Sequence, residues 1–168
     1  MALYGPDSVK DYMWRSPTNN FVSQVNTVDE VLKLWPFFHL GLEELRKPSK
    51  ARETTSATDF MALLMRVVTS EPGSGVIMVL SSKNAKPIGF VVGKRSAEHH
   101  SMQLMVAYVS DKCPDAIEDL RAALELWCKE RGYTELRAYT RRINGSAMRW
   151  YENRLGFKRE FVGFVKQL

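Results

Sequence analysis

The spacing of apolar and polar positions changes several times along the chain, and each change marks an element. Positions 21–25 (Phe21-Val22-Ser23-Gln24-Val25) read as a short first strand. Val28, Val31, Leu32 and Trp35 share one face of a helix over 29–35. Pro36 is expected to break or kink it, with Phe37, Phe38, Leu42 and Leu45 on a further turn or helix. Residues 46–57 form a polar loop, and Ser56 with Asp59 resembles a capping box opening the next helix. That helix carries Phe60, Leu63, Leu64, Val67 and Val68 on one stripe and stops at the Glu-Pro-Gly-Ser-Gly of 71–75.

Strands follow. The nearly continuous apolar run 76–80 suits a strand covered on both faces. Its partner is 87–93 and a third strand is 101–109, so three successive strands pair antiparallel. A helical spacing then returns: Ile117, Leu120, Leu124 and Trp127 place a helix over 115–131, ended by Gly132. Residues 133–141 alternate Leu136, Ala138 and Thr140 with charged positions, as a strand does. Strand, helix, strand at this spacing is a βαβ unit with parallel strands and a right-handed crossover. A last helix from Asn144 or Ser146 puts Ala147, Trp150, Tyr151, Arg154 and Leu155 on one face, Gly156 ends it, and 157–168 form a terminal strand. The fold class is therefore α/β (α+β), a mixed sheet made of an antiparallel meander plus one βαβ crossover. One domain covers 19–168, behind an extended arm over 1–18 with Trp14 as its candidate anchor.

Composition narrows the function classes. With 45% apolar and 26% charged residues the chain has an ordinary globular balance. No apolar run approaches the roughly 18–20 residues of a membrane span, and the N-terminus has no secretory pattern, so a cytoplasmic location is expected. Cys113 and Cys128 sit in or beside one helix, about 22 Å apart at its rise, too far for a disulfide. Three histidines without a C-x-x-C pattern give no expectation of a metal site.

Charge is unevenly placed. Residues 129–168 hold ten Lys/Arg against four Glu, which leaves 1–128 nearly neutral. The basic quarter faces an anionic ligand or another protein, or is a solvated face. Nothing beyond charge supports nucleic-acid binding, which is not expected.

The closing segment Asn144-Gly-Ser-Ala147-Met-Arg-Trp-Tyr151, followed by Gly156-Phe157, resembles the last motif of the GNAT superfamily of N-acetyltransferases. The tract from Leu126-Trp127 to Gly132-Tyr133 resembles the end of that family's crossover helix. Motif-level likeness covers about 120–168, the order of elements about 20–168, and compact acetyltransferase-like proteins of bacteriophages are similar. The resemblance implies a GNAT-like sheet whose two parallel strands splay apart around acetyl-CoA, with direct transfer of the acetyl group to an amine. It implies that the pantetheine arm pairs with Met105, Val106, Ala107, Tyr108 and Val109, and that the diphosphate meets the start of the crossover helix near Lys112 and Ala116. Asn144 and Ala147 of the motif would also line the cofactor, and Tyr151 would protonate the departing thiolate. The acceptor amine would lie between loop 46–57 and the C-terminal strand. A phage-encoded protein would work in the host cytoplasm or the virion.

Three features depart from the family pattern. No glycine occurs between Gly93 and Gly132, where the family keeps a glycine motif for the diphosphate. Asp115, Glu118 and Asp119 occupy the positive end of the crossover helix instead, each worth about 0.3–1 kcal/mol to the helix and each opposed to a diphosphate. Arg141, Arg142 and Arg149 could hold phosphate from the other wall of the gap, or face solvent or a partner. Five residues separate Tyr151 from Gly156 where the family has four, and one extra residue turns a helix by about 100°. Tyr151 is thus either the proton donor or a packed core residue. The alternative function is a catalytically inactive GNAT-fold binding or structural module, phage-encoded and virion-associated.

Overall fold

Strands as apolar as 76–80, 87–93 and 101–109 need partners for their backbones and cover on both faces, and one sheet between helices supplies both. The computed structural model describes residues 2–3, 13–16, 19–47, 55–97, 100–139, 149–159 and 166–167. Seven strands lie side by side in chain order: β1 (Ala2–Leu3), β2 (Met13–Arg15), β3 (Phe21–Gln24), β4 (Gly75–Ser81), β5 (Pro87–Arg95), β6 (Ser101–Val109) and β7 (Glu135–Ala138). All neighbours pair antiparallel except β6 and β7, which are parallel as the βαβ reading requires. β1 and β2, within the segment read as an arm, extend the sheet, and Trp14 is buried in its core.

Helices α1 (Val28–Arg46) and α2 (Ala57–Thr69) cover one face, and α3 (Ile117–Glu130) covers the other. Phe38, Leu42, Phe60 and Leu64 pack on the first face; Leu120, Leu124 and Trp127 pack on the second. Ser56 caps α2 as its sequence suggests, its Oγ accepting from the Asp59 N–H at 3.1 Å.

Two expectations need correction. α1 runs unbroken through Pro36. Its buried residues lie on both sides of the proline, Val31 before it and Phe38, Leu42 and Leu45 after it. A break would pull one half off the sheet, and that burial outweighs the hydrogen bond Pro36 cannot donate. A Thr27 cap, whose Oγ1 accepts from the Glu30 N–H at 3.1 Å, adds to the helix start. The second correction concerns the terminal strand: Phe157, Lys158, Arg159, Lys166 and Gln167 are not in one, and 160–165 lie outside the described residues.

β6 carries the feature that shapes the site. Val92 of β5 faces Val106 and Gly93 faces Leu104, so Met105 is an extra residue, a β-bulge. It reverses the alternation of faces. Met102 and Leu104 point to the α3 side, whereas Val106 and Tyr108 point to the α1/α2 side. Among the described residues no helix is long and apolar enough to cross a membrane.

Candidate active site

The parallel ladder between β6 and β7 is short. It runs Ser101↔Glu135, Met102↔Leu136, Gln103↔Arg137 and Leu104↔Ala138, and among the described residues it ends there. β6 continues for five more residues, and among the described residues these pair only to β5. The ladder stops at the bulge, where an extra residue bends a strand and tightens its twist. The two strands therefore part, and β6 presents one edge along Met105, Val106, Ala107, Tyr108 and Val109.

These five residues differ in what they show to the gap. Met105 is 36% exposed, Ala107 and Val109 are half-buried at the rim of the α3-side core, and Val106 and Tyr108 are buried toward α1 and α2. Tyr108 packs against Phe90 with ring centroids 5.5 Å apart. Burial pushes its phenol above the ordinary range, with nearby Glu44 and Asp111 acting in the same direction. Edge recognition here depends on backbone amides and carbonyls, which do not require a particular side chain.

At the end of β6 the chain turns tightly, the Cys113 N–H bonding to the Ser110 carbonyl at 2.9 Å, and this leaves Lys112 exposed. A 3₁₀ turn over Pro114–Ala116 leads into α3. Ala116 is buried, and its N–H is engaged by the Cys113 carbonyl at 3.1 Å. That donor is occupied by the chain itself.

The acidic start of α3 is compensated from a distance. Arg154 forms ion pairs with Asp115 Oδ1 at 2.7 Å and Glu118 Oε1 at 3.2 Å. Asp119 accepts from Asn20 Nδ2 at 3.2 Å, and burial raises its carboxyl above the usual range. The repulsion expected of Asp115 and Glu118 toward a diphosphate is thus reduced, one guanidinium standing against two carboxylates. Sequence reading placed Arg154 only on a helix stripe and missed this role.

The extra residue between Tyr151 and Gly156 is absorbed locally. Trp150–Arg154 form a π-helical turn, one residue wider than an α turn. The Phe157 N–H closes it on the Tyr151 carbonyl at 3.0 Å, and Gly156 takes φ +72° to end it. The half-buried Tyr151 ring meets Phe157 edge-on at 6.0 Å and packs on the same core rim as Ala107 and Val109. The ion pairs of Arg154 set this turn beside the start of α3, and Tyr151, like Ala107 and Val109, packs against the α3-side core. Arg141, Arg142, Asn144 and Ala147 lie outside the described residues, and Arg149 is exposed. Much of the basic C-terminal quarter is internally paired: besides Arg154, Arg137 meets Glu135 at 2.8 Å and Arg159 meets Glu152 at 2.9 Å.

No protein-family model matches the sequence, and no curated protein does. Solved structures do match. The aminoglycoside antibiotic 6'-N-acetyltransferase AAC(6')-Ih from Acinetobacter baumannii is 15% identical with a TM-score of 0.62, covering 88% of this chain and 98% of that one. AAC(6')-Iy in complex with the bisubstrate analog CoA-S-monomethyl-acetylneamine is 16% identical at TM-score 0.60, covering 89% and 98%. The ribosomal-protein-alanine N-acetyltransferase from Brucella melitensis biovar Abortus 2308 is 14% identical at TM-score 0.60, covering 89% and 99%. At these identities the likeness is one of architecture, and together with the parted parallel strands it gives this chain the GNAT fold.

Proposed function

We propose that the protein is an acetyl-CoA-dependent N-acetyltransferase that moves the acetyl group directly to an amine. One observation carries the reading: β6 and β7 part immediately after Leu104 and Ala138, at the Met105 bulge. Neighbours in fold were solved with CoA or with a CoA bisubstrate analog, which supports the choice of donor.

The residues present fit such a donor in part. The free edge of β6 along 105–109 offers alternating N–H and C=O groups to the amides of a pantetheine arm. Arg154 pairs with both Asp115 and Glu118, which halves the negative charge a diphosphate meets at the β6–α3 turn, and Lys112 is exposed on that turn. Ala116 contributes shape there, because its N–H is already used. Asn144 and Ala147 are assigned to the opposite wall by their motif positions, and Arg141 and Arg142 by following β7 in the chain.

Acetyl-CoA supplies an acyl group activated as a thioester. In direct transfer the neutral amine attacks the carbonyl carbon, the C–S bond breaks, and the amine proton leaves to water. Tyr151 Oη gives its proton to the sulfur as the bond breaks, which lowers the barrier to expelling a thiolate. The acceptor is assigned to the side of loop 46–57, of which 48–54 lie outside the described residues. No carboxylate lies on β6 to act as base, so the acceptor must arrive with its amine already neutral, and the rate should rise with pH up to the amine's own pKa.

The test is a transfer assay with acetyl-CoA and a panel of amines, including aminoglycosides and N-terminal peptides, reading free CoA thiol. Acetylated product that requires Tyr151 supports the proposal. Failure of acetyl-CoA to bind at all overturns it in favour of a module without transfer chemistry.

A further inference from the structure

A half-open cavity lies at the other end of β6 from the parted strands. The turn before β4, the end of β5, the start of β6 and the turn after α3 line about 540 Å³, within the range of small-molecule sites. Gly73, Arg95, His100, Arg131 and Tyr133 contribute to its wall. Here β6 and β7 are zipped from Ser101↔Glu135 onward, so the cavity is separate from the parted strands. Ser101 and Met105 are roughly 13 Å apart along β6.

Two acceptors on this wall are already used, the Gly73 carbonyl and the His100 carbonyl, which accepts from the Thr134 N–H at 3.0 Å. The Tyr133 hydroxyl donates to the Gly73 carbonyl and accepts from Arg95 Nε at 3.2 Å. The last carbonyls of α3 are capped: Trp127 O by Arg131 Nη1 at 3.3 Å, Cys128 O by the Tyr133 N–H at 3.0 Å, and Lys129 O by the Gly132 N–H at 3.1 Å. The Arg95 side is cationic. The two terminal nitrogens of Arg95 have no partner among the described residues, and Glu71, near enough to be felt, forms no ion pair with it. Arg131 is fixed over the Trp127 ring, 4.1 Å from its centroid, with Glu130 3.9 Å away.

Tyr133 therefore holds the Arg95 guanidinium by its Nε edge and leaves the Nη1–Nη2 end for a ligand. Such a fork matches two oxygens of one phosphate or carboxylate, and being held in advance it loses little freedom on binding. The Arg95 end of the cavity offers donors and positive charge, which suits an anionic ligand group. We propose that this cavity is a second binding site, for a small molecule bearing a phosphate or carboxylate group gripped by Arg95 with Arg131 beside it. The site does not depend on the transferase reading.

The experiment titrates the full chain with inorganic phosphate, AMP and citrate at constant ionic strength, followed by calorimetry and by amide chemical shifts. Expected is saturable one-to-one binding in the millimolar range or tighter, with shifts at Ser96, Gly132 and Tyr133 and none at 105–109. Phosphate and AMP without citrate identify a phosphate ligand; citrate alone identifies a carboxylate. Arg95→Gln should weaken binding about tenfold or more, and Arg95→Lys, which keeps the charge but not the fork, should fall between. Arg131→Gln provides an independent variant should the loss of the Tyr133 contact unfold Arg95→Gln. Absence of saturable binding by all three ligands, equal binding in the folded variants, or shifts confined to 105–109 would overturn the proposal.

Discussion

Gly41 is where α1 comes closest to the sheet, and enlarging it tests how rigid that contact is. A Cβ at Gly41 would lie 2.5 Å from Phe90 Cε1 and 2.7 Å from Tyr108 Cδ1, about an ångström inside ordinary contact. Neither ring can retreat easily. Phe90 is fully buried, Tyr108 is 5% exposed, and Phe38 and Phe60 pack against Phe90 with centroids 5.1 and 5.8 Å away. Gly41→Ala gains about 1 kcal/mol of helix propensity. Overpacking of this kind costs about 1–3 kcal/mol, and with both rings confined the upper part of that range applies. The net loss should be about 1–2 kcal/mol, or roughly 2–8 °C in Tm for a chain of this size. Thermal and urea unfolding measure it. Phe90→Leu should make room, so the double variant should be less destabilised than the two single losses added together. A Gly41→Ala protein as stable as the parent would refute the argument, because propensity alone would then govern the position.

Other consequences are specific. Tyr151→Phe should lower kcat by roughly 10²–10⁴-fold with little change in the KM for acetyl-CoA, the expectation for a proton donor acting in the transition state; an unchanged kcat would leave Tyr151 a packing residue. Arg154→Gln should barely move Tm, since its ion pairs are exposed, yet it should weaken acetyl-CoA binding by freeing two carboxylates, and adding Asp115→Asn and Glu118→Gln should restore it. Burial pushes the Cys128 thiol up from 9.0 to about 12. The folded chain thus keeps that proton longer than the unfolded chain, and stability should fall as pH rises from about 9 toward 12, by roughly 4 kcal/mol at most. Cys128→Ala should flatten that part of the urea-midpoint profile, and an unchanged profile would contradict the burial argument. Deleting Met105 would put 101–104 and 106–109 in a single alternation and turn one set of buried side chains to the wrong face. Loss of cooperative unfolding, seen by circular dichroism, is the expected result.

The three-strand meander and the βαβ crossover were legible in the sequence because they rest on local spacing and on Gly132 at the end of α3, whereas β1 and β2, in the segment read as an arm, were not. The bulge was not legible. Positions 102, 104, 105, 106, 107, 108 and 109 are all apolar, so no alternation survives to reveal a change of phase, and the bulge exists only relative to β5. Pro36 misled for a related reason: local chemistry favours a break, and only burial on both sides of it keeps α1 continuous. At the site, Tyr151 and the donor edge could be named from motif and order of elements. The link from Arg154 to Asp115 and Glu118 spans 36 to 39 residues and has no local signature. The one-residue excess before Gly156 was visible, but it implied a rotated helix end; a π turn takes up the residue at less cost than re-aiming the whole segment.

The central claim is that the edge of β6 beyond Leu104 accepts the thioester donor. Titrating the isotopically labelled protein with acetyl-CoA and following backbone amides tests it most directly. Saturable one-to-one binding with the largest shifts at Met105, Val106, Ala107, Tyr108 and Val109 is the predicted result. Absence of binding at about 1 mM acetyl-CoA, or saturation with those five amides unmoved, would contradict it.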